Sequence, residues 1–224
     1  MKPSQEKQQE IKRIYEENLA DKITSNYVPF FARYGEKYEV DNGILFVGKA
    51  ENMADKNQKN VNEKIDSAYE KIHNDDYIET ISKTNPYPKS PYVRTLQKIA
   101  KKVEQKHGIT HFARTNLYKL STTNTHVFNS EYEKAYVDIF RKEIELLRPK
   151  YVIMLTSGKE NNFLKNLGKQ EKCEKVEFNK KNLKCIKIDG FDSLFITALH
   201  PQGKPEDKLV EAIVGLINTT IHKS

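Results

Sequence analysis

Three short, unbroken apolar runs constrain this chain more than any other feature. They are Gly43-Ile-Leu-Phe-Val-Gly48, Tyr151-Val-Ile-Met-Leu-Thr156 and Ser193-Leu-Phe-Ile-Thr-Ala-Leu199. Runs of this length without polar alternation read as strands buried on both faces. Thr110 to Tyr118 reads as a further strand between the first run and the second. Amphipathic helical segments alternate with these strands: Tyr92 to His107, closed by Gly108 as a C-cap; Ser130 to Leu147; and Pro205 to Ile221 with Leu209, Ile213 and Leu216 inward. Ser130, with Glu133 behind it, makes a capping box, and Pro149 closes that helix. The alternation predicts an α/β fold: three layers, α/β/α, around a central, mostly parallel four-stranded sheet. Right-handed crossovers place every strand-end loop on one edge, where open α/β sheets bind ligands. The segments to inspect are therefore those after Gly48, from Asn116 to Leu120, from Thr156 to Gly158, and at His200.

The remaining segments fill in around this frame. Lys2 to Leu19 reads as a helix with Ile11, Ile14, Tyr15 and Leu19 on one narrow stripe, suited to packing on a domain edge. Residues 1–24 are read as an N-terminal helical extension and 25–224 as one domain. Lys49 to Pro91 is a long polar excursion, with a helix expected from Val61 to His73. Excursions of that length are usually functional or disordered. A short helix ending near Leu167 and Gly168 follows Ser157-Gly158. Glu171 to Phe178 and Leu183 to Ile188 read as a hairpin turning at Asn179 to Asn182.

Composition limits the function classes. Hydrophobic residues make up 37% of the chain, enough for a packed core. Lys and Arg number 38 against 31 Asp and Glu, a formal charge of +7. That excess suits a polyanionic partner, or simply solvated lysine-rich faces. The two cysteines, Cys173 and Cys185, are too few for a four-cysteine zinc or iron–sulfur site, and reduced thiols are favoured over a cross-strand bond. No stretch approaches the roughly 20 apolar residues of a membrane span, and Met1 to Leu19 lacks a signal-peptide core. A cytoplasmic monomer without cofactor, metal cluster or membrane contact is expected. No phosphate-binding Gly-rich loop, serine nucleophile elbow or dinucleotide fingerprint occurs, and the histidines lack metal-ligand spacing.

Four fragments sit at the strand ends in order: Leu45-Phe-Val-Gly48-Lys-Ala-Glu51-Asn52, Ser90-Pro-Tyr92, Arg114-Thr-Asn116-Leu-Tyr-Lys119 and Leu199-His200-Pro201-Gln202. Their side chains suit the breaking of an N-glycosidic bond. Positive charge then develops on the sugar and negative charge on the departing base. Glu51 is placed to stabilise the first and orient water. His200 is placed to donate to the second. Asn116 both donates and accepts, so it can read a pyrimidine edge. Tyr92 offers a stacking face. Lys49, Lys119 and Lys204 near the strand ends are candidates for phosphate contacts. Each has a plainer alternative: Glu51 and Lys49 as solvated loop charges, Asn116 as a backbone cap, His200 as a turn residue, Tyr92 as a core aromatic.

From about residue 25 to the end, this set resembles the uracil-DNA glycosylase superfamily. The resemblance implies that Gly48, Ala50 and Asn52 line the base pocket with Tyr92 and Asn116. It further implies that Tyr92 stacks on a flipped base and Asn116 reads its edge. His200 would polarise the base carbonyl, and Pro201 and Gln202, with the lysines, would meet DNA backbone. Ala50 stands where the classical members carry their catalytic aspartate, and Gln202-Gly203 replaces a serine-led loop. The expected activity is a DNA glycosylase acting on a deaminated or modified pyrimidine flipped from single- or double-stranded DNA. The alternatives are a catalytically silent nucleic-acid-binding protein of the same fold, and an enzyme acting on a free nucleoside or nucleotide.

Overall fold

The computed structural model describes residues 3–19, 28–35, 38–49, 90–104, 112–121 and 130–223. Helix α1 (Pro3–Leu19) is followed by two short strands, β1 (Val28–Pro29) and β2 (Arg33–Tyr34). Next come β3 (Ile44–Gly48), α2 (Pro91–Glu104), β4 (Phe112–Asn116) and β5 (Leu120–Ser121). The second half contains α3 (Ser130–Leu147), β6 (Tyr151–Leu155), α4 (Asn161–Leu167), β7 (Gln170–Phe178), β8 (Lys181–Ile188), β9 (Leu194–Ala198) and α5 (Glu206–Lys223). The helix expected over Val61 to His73, the Gly108 cap and most of the 121–129 loop lie outside the described residues.

The three apolar runs and the 110–118 segment form the parallel centre of the sheet, in the order β4-β3-β6-β9. Ile44, Phe46, Tyr151, Ile153 and Leu155 face one layer, packed with Leu96 and Ile99 of α2 and Leu209, Ile213 and Leu216 of α5. Leu45, Val47, Val152 and Met154 face the other, with α3, α4 and the stripe Ile11, Ile14, Tyr15, Leu19 of α1. Successive residues of a strand point to opposite faces, so burial on both sides requires apolar residues at every position.

The sheet is larger than the four strands expected. It has seven, in the order β2-β4-β3-β6-β9-β8-β7. Strand β2 adds antiparallel to β4 at one edge, and the 170–188 hairpin adds antiparallel to β9 at the other. The hairpin is no satellite: Leu183 and Cys185 of β8 are buried under α5, and Ile186 and Ile188 under the opposite layer. Its turn is tighter than expected, with Asn179 and Lys180 both at positive φ (49° and 59°), the two-residue turn that matches strand twist. Cys173 and Cys185 are both free thiols, and burial pushes the Cys185 thiol up to about 11. Among the described residues no helix is long and apolar enough to cross a membrane.

Candidate functional site

After β3 the chain crosses to β4 on one side, and after β4 it returns to β6 on the other. The carboxyl ends of β3 and β6 therefore flank a switch point, the place where two connections diverge and leave a crevice. A cleft of about 470 Å³ lies there, lined by Lys49, Tyr118, Glu133, Gly158, Asn161 and Phe163 among others. Its size is within the range that holds a small ligand or a single base, roughly 300–1,000 Å³.

Gly48, Tyr92, Asn116 and His200 form a connected set, joined to this cleft by Lys49, which follows Gly48 and lines it. Gly48 ends β3 in register with Asn116 at the end of β4. A methyl group on Gly48 would fall inside the van der Waals envelope of Asn116 Oδ1, and 3.1 Å from the Tyr92 hydroxyl. The missing side chain is what lets the Asn116 carboxamide and Tyr92 converge over the strand end. Asn116 is buried, at 6% exposure. Beyond it the backbone is fixed by Leu117 N–H donating to Gly48 O (2.9 Å) and Tyr118 N–H donating to Lys49 O (3.1 Å).

Tyr92 enters from the start of α2, where Ser90 Oγ accepts from Val93 N–H at 3.5 Å and Pro91 fills the first helical position. Its ring stacks on His200, with centroids 5.6 Å apart and planes 13° from parallel. A base inserted between two rings needs them about 7 Å apart, twice a van der Waals separation. The Tyr92 face toward His200 is thus taken by the imidazole, so Tyr92 orients His200 rather than sandwiching a base against it. Arg94 and Glu206 form an ion pair that ties the start of α2 to the start of α5. This holds the two ring-bearing segments together.

His200 is half-buried and anchored on both sides. Its N–H donates to Ser157 Oγ at 2.8 Å, and its Nδ1 accepts from Gln202 N–H at 3.3 Å. An accepting Nδ1 carries no proton, so the neutral ring carries its proton on Nε2. Burial, and then the positive charge of Lys49, hold the His200 pKa below the ordinary 6.5. The site thus presents a neutral N–H donor at physiological pH. Ser157, the anchor, adopts φ 56° and its own N–H donates to Ala198 O at 3.1 Å. A non-glycine residue in the left-handed region costs about 1–2 kcal/mol. The hydrogen bond to His200 gives Ser157 a role that sequence reading missed; the only prior signal was its place after a buried strand.

The other expected site residues divide. Lys49 stands between the histidine and the cleft, half-exposed. Gln202 is exposed, while Pro201 is buried with its carbonyl accepting from Lys204 N–H at 3.0 Å. Ala50, Glu51 and Asn52 lie outside the described residues. Lys119 is a correction. It is fully buried and contacts Glu143 Oε2 at 2.6 Å and Thr115 Oγ1 at 2.7 Å, so it does not face a phosphate backbone. A carboxylate that sequence reading passed over, Glu160, sits buried at the N-cap of α4 and accepts from the Thr156 hydroxyl. Among the described residues no group of His, Cys, Asp or Glu could hold a metal ion.

The Gly48–Asn116 contact is testable. Gly48→Ala should displace the Asn116 carboxamide by about 1 Å, and a misplacement of that size costs on the order of 10²-fold in rate. The Tm should move by only a few degrees, because the atom displaced is a side-chain terminus. Parallel thermal melts and assays of the activity the site supports check this; an unaltered rate would remove Asn116 from the site.

A scan against protein-family models returns no match for this chain, and neither does a search of curated proteins.

Proposed function

We propose that the chain is a DNA glycosylase-like enzyme that hydrolyses the N-glycosidic bond of a deaminated or modified pyrimidine flipped out of DNA. One observation carries the reading. A neutral histidine N–H donor, clamped by Tyr92, Ser157 and the Gln202 amide, is linked through Tyr92 and Gly48 to the buried Asn116 carboxamide, and its charged neighbour Lys49 lines the switch-point cleft. The resemblance in the sequence, where the same residues occur in the same order, points the same way.

In the proposed reaction the C1′–N bond breaks and water adds to C1′, giving free base and an abasic sugar. His200 Nε2–H donates to the base oxygen as negative charge gathers there. A donor already in place needs no reorganisation at that moment. Asn116 pairs with the base edge and selects it. Glu51, three residues beyond Gly48 in the sequence, supplies the carboxylate that faces the sugar cation and orients water. Extruding the base costs a few kcal/mol, least at a mismatch or damaged pair, and phosphate contacts offset it. Ala50, at the position where the resembled family carries an aspartate, supports the second reading, a silent DNA-binding protein.

The pH profile carries a signed prediction. The imidazole is neutral above its lowered pKa, and protonation would set an Nδ1–H against the Gln202 N–H, breaking the loop contact. The rate should therefore hold down through pH 6.5 and fall only at more acid pH. Lys49→Gln removes a positive neighbour, which makes the protonated ring easier to form. Its acid limb should shift to higher pH. Single-turnover profiles of both proteins check this; an acid limb that stays put or moves lower contradicts the assignment. The primary test of the function is release of base from oligonucleotides carrying uracil, hypoxanthine or 5-hydroxymethylcytosine, read as alkali-labile abasic sites.

A further inference from the structure

The tip of the β7–β8 hairpin and the end of β9 enclose a second cleft, of about 280 Å³. Lys180, Lys181 and Lys184 line it opposite Ser157 and Asn161. The carboxylate of its lining, Glu160, is 3% exposed and hydrogen-bonded by Thr156. Gly158 and Asn161 line both this cleft and the switch-point cleft, so the two are neighbours. Leu199, the residue before His200, borders it as well.

The three lysines are placed against the interests of the fold. None forms an ion pair among the described residues, whereas Lys98, Lys119 and Lys142 all do. Lys184 lies directly across from Lys175 in the β7–β8 register, and like charges opposite each other destabilise a sheet. Glu177, on the same face, stands across from Asn182 instead. Lys180 occupies a left-handed turn position at φ 59° that glycine fills without strain. Repulsion and strain retained at one spot, next to a site, point to a ligand that repays both.

We propose that this hairpin cleft binds backbone phosphates of the DNA strand flanking the flipped nucleotide. The proposal rests on the DNA reading above and deepens it. A strand of DNA presents phosphates at regular spacing, and a run of lysines adjoining the base site meets successive phosphates on one side of the extruded residue. Lys159 and Lys49, lining the neighbouring cleft, extend the positive path toward His200.

The test is the salt dependence of oligonucleotide affinity for the wild type and for the Lys180→Ala, Lys181→Ala, Lys184→Ala triple variant. Each phosphate contact adds about 0.9 to the slope of log K against log salt on duplex DNA, and about 0.7 on a single strand. The triple variant should lose roughly 2 to 3 from the slope, the larger loss on duplex DNA, and at least about tenfold in affinity at ~100 mM salt. Lys180→Gly alone should weaken binding while raising the Tm by roughly 2 °C, since strain is relieved as a contact is lost. Inorganic phosphate at matched ionic strength should not reproduce the competition of an oligonucleotide. Equal slopes for wild type and triple variant would overturn the hairpin assignment and leave the glycosylase reading standing. No oligonucleotide binding by the wild type at low salt would overturn both. Competition by inorganic phosphate as strong as by DNA would overturn the DNA-strand assignment in favour of a small-anion site.

Discussion

His200→Ala should lower the single-turnover excision rate by about 10²–10³-fold while DNA affinity changes far less. The asymmetry follows from what the ring does. In the proposed reaction it donates from Nε2 to an oxygen that gathers charge only as the C1′–N bond breaks. Its deletion therefore removes an interaction made in the transition state and little that is made in the ground state. The clamp sharpens the expectation. Tyr92 stacks on the ring, Ser157 Oγ accepts from the His200 backbone N–H, and Gln202 N–H donates to Nδ1. The Ser157 contact is to the His200 main chain and survives the substitution, so the loop should keep its course. Ser157→Ala should then act on the same step through position, with a smaller loss. Equal losses of rate and affinity in His200→Ala would mean that the ring binds DNA rather than assisting the bond to break.

Lys119→Met should destabilise the protein by about 3–5 kcal/mol, as should Glu143→Leu, and the double variant should recover most of the loss. Lys119 and Glu143 are both at 0% side-chain exposure and 2.6 Å apart. Thr115 Oγ1 donates to Glu143 Oε2 at 2.9 Å and accepts from Lys119 Nζ at 2.7 Å. The Tyr15 hydroxyl lies 2.7 Å from Glu143 Oε1, and the Lys119 ammonium 5.3 Å from the Phe140 ring centre. Burial pulls the Lys119 pKa below its ordinary value, and Glu143 acts the other way. Either single variant strands one charge without its partner in the core, whereas removing both leaves no buried charge, only the Thr115 hydroxyl and the Tyr15 hydroxyl, which keeps its bond to Phe30 O. At roughly 2–4 °C per kcal/mol for a chain of this size, each single variant should lower the Tm by about 10 °C. The network also supports the site, because it anchors α1, β4, α3 and the Leu117–Leu120 turn directly behind Asn116. Thermal melts of the three variants, read as a double-mutant cycle, decide it; additive losses would mean that the pair is not coupled.

Much of the frame was legible in the sequence for a local reason. A strand buried on both faces must be apolar at every position, and three of the four parallel strands read that way at sight. Strand-end placement then singled out Gly48, Asn116 and His200 before any distance was known, and the structure brings these together with Tyr92. The width of the sheet was not legible. The 170–188 hairpin carries charged residues along β7 and reads as freestanding, while its pairing to β9 through Lys184, Cys185 and Ile186 depends on contacts remote in sequence. Lys119 failed for the same reason. A lysine near a strand end reads as exposed, and only the fold brings Glu143, 24 residues later, within reach to make its burial tolerable. The Tyr92–His200 stack likewise joins the start of α2 to the loop after β9, segments that local pattern treats separately.

The proposed function requires that this cluster release a base from DNA. The most direct measurement incubates the full chain with single- and double-stranded oligonucleotides bearing uracil, hypoxanthine or 5-hydroxymethylcytosine, then identifies the small product by mass spectrometry. Free base and abasic sites should appear in equal amounts from at least one pyrimidine substrate, and fall to near background in His200→Ala. Intact oligonucleotides throughout, with DNA binding retained and weakened by the hairpin lysine variants, would contradict the enzyme and leave a DNA-binding protein of this fold.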